Sequence, residues 1–114
     1  MEARAPRLNT ASVFENRHLC PVFRALANPT RMRFIEALVH GDMRQEELRE
    51  LSPLRQPTVI HHLKVLETCG LLRSRREGQL RRYSLRLEAL RQAEDCLRRL
   101  AAPRSPPFPH EDYR

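Results

Sequence analysis

The stretch 55-RQPTVIHHLKVLETCG-70 decides how this chain folds. Val59, Leu63 and Leu66 recur at spacings of four and three, the period of one helical face. Pro57 suits a first helical turn and Gly70 a terminator, so the stretch reads as a single helix. Opposite the apolar face stand Gln56, Thr58 and His61. Two chemistries compete for these residues: His61, His62 and Cys69 are metal-ligand types, whereas a polar helix face in basic surroundings suits DNA. Helix geometry favours the second. Neighbouring residues diverge by about 100°, so the two histidines cannot share one ion. His62 and Cys69 share a face, but at ~1.5 Å rise per residue they stand about 10 Å apart. Ligands to one zinc lie within about 2.0–2.3 Å of it. His62 is therefore expected to pack or hydrogen-bond inside the motif, His61 to face DNA, and Cys69 to act as a small apolar residue.

Working outward, 43-MRQEELREL-51 reads as a short helix with Asp42 as N-cap and Gln45 completing a capping box, ending before Ser52-Pro53. With the following helix it makes a helix-turn-helix. Upstream, Asn28-Pro29-Thr30 is a start signal, with Asn28 as N-cap and Pro29 at the first helical position. Met32, Ile35, Leu38 and Val39 form the expected apolar face, closed by Gly41. Between Val13 and Ala27 the apolar spacing is helical but interrupted by Pro21, so the segment is either a kinked helix or one beginning near Cys20. Downstream, 71-LLRSRREGQLRRYSLR-86 alternates large and polar residues around Glu77-Gly78-Gln79, a β-hairpin whose turn needs a positive φ at the glycine. Residues 88–100 are helical, with Leu90, Ala93, Leu97 and Leu100 as a stripe.

The expected fold is mainly α with a small β-hairpin wing: a winged helix-turn-helix in the order α-α-α-α-β-β-α, dimeric. Its expected limits are a flexible arm at 1–11, the DNA-binding and dimerisation domain at 12–102, and a Pro-rich disordered tail at 103–114 with four prolines in seven residues. At 114 residues the chain builds one modest core, which makes association with a second copy a reasonable expectation.

Charge narrows the partner. The chain holds 21 Lys+Arg against 14 Asp+Glu, a net charge of +7. Every basic residue but Lys64 is arginine. Residues 55–86 carry eight cations (Arg55, Lys64, Arg73, Arg75, Arg76, Arg81, Arg82, Arg86) against Glu67 and Glu77, a net +6 that is most of the whole-chain excess. A charge run is usually a solvated face, but this one falls on the recognition helix and wing, the two elements that touch DNA. Gln56 suits paired hydrogen bonds to adenine, and Thr58 and His61 suit base edges or phosphate. Arg55 and Lys64 place cations near phosphates, and Ile60 either touches a thymine methyl or lies at the edge of the core. Arg75, Arg76, Gln79, Arg81 and Arg82 belong to the wing, where phosphate or minor-groove contacts are expected.

The segments 25-ALANPTRMRFIEAL-38, 56-QPTVIHHLKVLETCGLLRSRREG-78 and 82-RYSL-85 closely resemble the ArsR/SmtB family of bacterial repressors, over roughly residues 19–88 without gaps. The resemblance implies a homodimer formed by the first and last helices, a palindromic operator in double-stranded DNA, and release by an effector that the sequence leaves unidentified. The family's two metal sites are not matched. In 41-GDMRQEEL-48, Arg44 and Glu46 occupy the thiolate positions, and arginine cannot ligate a cation. Residues 86–100 contain no histidine for the terminal-helix site. No metal or other cofactor is expected. The family architecture would put Cys20 and Cys96 on the dimer-forming helices, which opens a thiol-redox alternative in which oxidation bends the dimer and releases DNA; core filling is the competing role.

Three widely spaced cysteines, with no CxxC pair and no secretory signal, argue against a disulfide framework. No membrane association is expected, and the resulting placement is cytoplasmic, associated with the nucleoid. No nucleophile–base pairing or glycine-rich phosphate loop points to an enzyme. The remaining alternatives are an effector-independent regulator and a winged-helix protein-interaction module.

Overall fold

A computed structural model of the chain describes residues 16–102. The expected arm at 1–11 and the tail at 103–114 lie outside the described residues. A 3-10 turn at Arg17–Leu19 leads into α1 (Cys20–Leu26), with Pro21 in its first turn, so the helix begins at Cys20. Asn28 is extended, and its Oδ1 accepts the Arg31 backbone N–H at 3.0 Å, capping α2 (Pro29–Leu38).

The inward face of α2 is Phe34, Ile35 and Leu38, all at most 4% exposed, whereas Met32 and Val39 are 41% and 57% exposed. Ile35 and Leu38 of the expected face are buried as read, while Phe34 takes the inward place expected of Met32 and Val39. Phe34 has the larger apolar surface, and turning it inward removes more area from water than burying Met32 would.

Met43–Arg44 is not helical. It forms β1, and α3 is only Gln45–Arg49. The expected Asp42/Gln45 box is replaced two residues later: Glu47 Oε1 accepts the Arg44 backbone N–H at 2.8 Å. Only this half of a capping box operates, because an arginine side chain has no acceptor to return. The cause is tertiary, since Met43 and Arg44 pair antiparallel with Tyr83 and Arg82, which holds the backbone extended.

The recognition helix α4 (Gln56–Thr68) matches its expected limits, with Arg55 as an N-cap that makes no side-chain cap bond. Gly70, at φ +93, ends it: Leu71 N–H bonds Leu66 C=O at 3.0 Å and Gly70 N–H bonds Glu67 C=O at 3.1 Å. Both bonds together are a Schellman closure, which satisfies two of the last carbonyls and drives Leu71 into the core.

Strands β2 (Leu72–Glu77) and β3 (Leu80–Leu85) pair from Leu72↔Leu85 to Glu77↔Leu80, leaving a two-residue turn. Gly78 has φ +67 and Gln79 does not share the positive sign, the pattern of a type II′ turn. The sheet is three-stranded, in order β1-β3-β2, rather than a bare hairpin. A two-residue strand has no period of its own, so β1 left no trace in the sequence pattern.

Finally α5 (Leu87–Ala101) buries Ala93 and Cys96, but Leu97 and Leu100 are 53% and 68% exposed. The expected stripe lies only partly on the core: Ala93 belongs to it and Leu90 packs against it, while Leu90, Ala93 and Leu97 also line an open apolar groove of about 930 Å³ with Phe23, Leu26 and Met32.

The core joins Phe34, Leu48, Val59, Leu63, Leu66, Leu71, Leu72 and Tyr83 into one cluster. Leu63, fully buried at the middle of α4, lacks room to be replaced by a smaller side chain without leaving a cavity. Leu63→Ala is expected to destabilise the fold by about 2–5 kcal/mol, read from the urea midpoint; a loss below about 1 kcal/mol would contradict this packing.

Candidate nucleic-acid interface

With its apolar stripe buried, α4 turns Gln56, Thr58, His61 and Lys64 to solvent, and Arg55 is exposed at its start. The spacing of the stripe thus sets the composition of the outward face. Ile60 is 36% exposed, which removes it from the core and places it on the flank of α4 towards the wing, beside Lys64 and Arg81. Gln56 is held from a side that the sequence did not reveal: Arg49 Nη1 donates to its Oε1 at 2.9 Å. Arg49 ends α3, seven residues earlier, and only the turn between the helices brings the two together.

Strand alternation divides the basic wing into two faces. Arg76 and Arg81 are paired across the strands and share the face of Ser74 and Tyr83, the side turned to α4. Arg75 and Arg82 are likewise paired, on the opposite face with Glu77. Arg82 Nε meets Glu77 Oε1 at 2.9 Å and Arg75 Nη2 meets Glu77 Oε2 at 3.3 Å. The hydrogen bond from Arg82 is the main reason that the Glu77 carboxyl titrates below its ordinary range. Arg82, with a side chain only 24% exposed, is therefore engaged in bracing the turn. The structure brings Arg76, Gln79 and Arg81 alongside α4 and sets Arg75 and Arg82 apart from it.

A buttress joins α4 to the helices behind it. Arg31 Nη1 donates to His62 Nδ1 at 3.0 Å, and Arg31 Nε donates to the Ala25 carbonyl at 2.7 Å. One arginine thereby ties the end of α1, the first turn of α2 and the middle of α4. Nδ1 must accept, so His62 is neutral with its proton on Nε2. Its pKa lies below the ordinary value, first because burial disfavours the cation and then because Arg31 and His61 repel it.

The metal reading of the opening stretch loses its parts one by one. The His61 and His62 rings are 5.8 Å apart and tilted by 53°. His62 Nδ1 is taken by arginine, and Cys69 Sγ donates to the Leu66 carbonyl at 3.3 Å. Among the described residues, no three His, Cys, Asp or Glu side chains gather as a metal cluster. Cys20 is exposed at the start of α1, Cys96 is buried on α5, and both are free thiols.

The His62 shift has a consequence for stability. Because the folded state holds His62 below the ordinary ~6.5, the unfolded chain binds more protons in the window beneath that value. The contribution is complete above about 6.5 and is lost as pH falls through the folded value. Urea midpoints of the protein are expected to drop between pH 7.5 and pH 5.5. His62→Gln, whose amide oxygen still accepts from Arg31, should flatten that drop; an unchanged pH dependence in the variant would assign it to other groups.

A family model described as bacterial regulatory protein, arsR family, matches residues 28–74. The chain is 40% identical over 63 residues to a probable mercury resistance operon repressor of Streptomyces lividans, covering 55% of this chain and 50% of that protein. It is 33% identical over 69 residues to the transcriptional repressor SdpR of Bacillus subtilis, covering 60% of this chain and 77% of that one. The fold is also that of an ArsR-like transcriptional regulator from Rhodococcus sp. RHA1, with a TM-score of 0.66 at 27% identity over 83% of this chain and 85% of the other. The matched region thus spans only half the length of the mercury relative and most of SdpR. The match takes in the capped α2, α3, α4 and the first residues of the wing, and ends before Arg75, Arg76, Arg81 and Arg82. This chain belongs to the ArsR family of bacterial regulatory proteins.

Proposed function

We propose that the protein is a transcriptional repressor that binds a palindromic DNA operator as a homodimer. The observation that carries this reading is the joining of a polar, solvent-facing recognition helix to a wing whose near face presents Arg76 and Arg81. The helix enters the major groove with Gln56, Thr58 and His61 leading, and cations of the wing meet the phosphates flanking it. Occupation of the operator by such a dimer excludes polymerase. No helix among the described residues is long and apolar enough to cross a membrane, and a repressor of this kind works in the cytoplasm, at the nucleoid.

The dimer reading rests on the open groove between α1, α2 and α5. Exposed Met32, Leu87 and Leu97 line it as an apolar surface that a second copy would cover, aligning two recognition helices with half-sites about one DNA turn apart. The two thiolate positions of the short-helix metal site that the resemblance implies carry Arg44 and Glu46, and Arg44 serves as the N-cap of α3. An inducer, if the protein answers to one, acts through chemistry other than thiolate capture at that helix.

Two experiments test the reading. Selection from a random duplex library should return one palindromic motif, which Thr58→Ala changes and Arg76→Ala leaves intact. Arg76→Ala is expected instead to weaken binding to all sequences and to lower the slope of log K against log salt by about 1. A wild-type chain that enriches no sequence overturns the proposal. For the dimer, Leu97→Glu should give a monomer in light scattering and lose operator binding by at least about 100-fold, since a charge would be placed in the apolar seam; a dimer that persists would move the interface elsewhere.

A further inference from the structure

Between α4 and the near face of the wing runs a trough made of two adjoining hollows of about 390 and 290 Å³. Gln45 and Arg81 line both hollows, so they mark its middle. Gln45 was not among the expected contact residues, since it was read as half of a capping box. Its side chain does other work: Tyr83 hydroxyl donates to Gln45 Oε1 at 3.3 Å. Tyr83 is 4% exposed and fixed by the strand pairing opposite Met43. With its oxygen oriented by a buried tyrosine, Gln45 offers its amide N–H groups to the trough, and among the described residues they have no hydrogen-bond partner.

Arg81 is oriented just as deliberately. Its Nη1 donates to Ser74 Oγ at 2.8 Å, and that hydroxyl donates to Glu67 Oε2 at 2.6 Å. The relay runs from the end of α4 through both strands of the wing, fixing the width of the trough. Lys64, Arg76 and Arg81 are its cations. Its two carboxylates stand at opposite ends, Glu46 in one hollow and Glu67 in the other. The middle, where Gln45 and Arg81 converge, is the electropositive position.

We propose that this trough seats one sugar–phosphate strand of the bound duplex, with Gln45 as a neutral phosphate donor positioned by Tyr83. The assignment rests on the DNA-binding reading above and specifies it. A recognition helix in the major groove and a wing against the neighbouring minor groove must straddle the strand that separates those grooves. A rigid neutral donor there fixes the register of the duplex without displacing a counterion. Gln45 therefore supports operator binding in a way that salt titration distinguishes from the arginines.

The test uses the full chain and a duplex operator selected by it. Gln45→Ala is expected to weaken operator binding by about five- to tenfold, one lost charge-assisted hydrogen bond, with the salt slope unchanged. Arg81→Ala should lower that slope by about 1. Gln45→Glu still accepts from Tyr83 but faces the phosphate with a negative charge, and should lose more than Gln45→Ala. Gln45→Lys, which keeps a donor, should bind more tightly than Gln45→Ala, and ethylation of a single phosphate per half-site should interfere with wild type but not with Gln45→Ala. Tyr83→Phe should weaken wild type and add nothing to Gln45→Ala. Thermal melts of each variant separate unfolding from lost contact. Equal binding by wild type, Gln45→Ala and Gln45→Glu, or equal losses for Gln45→Glu and Gln45→Lys, overturns the trough assignment while leaving the repressor reading standing. A wild-type chain that selects no operator overturns both.

Discussion

Complete burial of Val59, Leu63 and Leu66 is the constraint on which the remaining structure depends. A 13-residue helix with three fully buried positions at spacings of four and three has no rotational freedom left. Whatever stands opposite that stripe must face solvent, so the same three side chains that stabilise the domain also turn Gln56, Thr58 and His61 outward. The Schellman closure at Gly70 extends the constraint by turning the chain so that Leu71 and Leu72 enter the same core. The wing consequently leaves α4 at a set angle. The outward polar surface of α4 is built in this way on an apolar wedge rather than on loops.

Polar links then lock the parts that packing alone would leave adjustable. Arg31 joins α1, α2 and α4 through Ala25 and His62, and the Glu67–Ser74–Arg81 relay joins α4 to both long strands. Glu77 braces the turn between Arg75 and Arg82. These exposed or half-buried links contribute little to global stability individually. Their effect is on geometry, because each restricts a long side chain or an interelement angle that a ligand of this surface would otherwise have to order on binding. Among the described residues, the apolar groove of α1, α2 and α5 is lined by none of these linking side chains.

Much of this was legible in order and in charge. The Asn28-Pro29 start, the Pro57-to-Gly70 helix, the Gly78 turn and the concentration of cations at 55–86 all express local rules, and the structure contains each of them. The failures share one cause. Met43–Arg44 became a strand because Tyr83 and Arg82, some forty residues later, supply its partners. Phe34 displaced Met32 from the core, and Leu97 and Leu100 were left outside it, because helical spacing names a face but not what the face meets. Arg49 reaching Gln56 and Tyr83 holding Gln45 were invisible for the same reason.

By itself, then, the sequence determined the elements that rest on near neighbours: helix limits from caps and prolines, the hairpin from its alternation and its glycine, and the outward polar face of α4 from a period of 3.6. Tertiary structure alone decided how those elements are used. It sorted the wing arginines into a face towards α4 and a face engaged with Glu77, made His62 a neutral acceptor for Arg31, and opened the trough that Gln45 and Arg81 line. The physical reason is that local signals act through the backbone within a turn or two, whereas charge partners, burial and orientation depend on residues that only folding brings within a few ångströms.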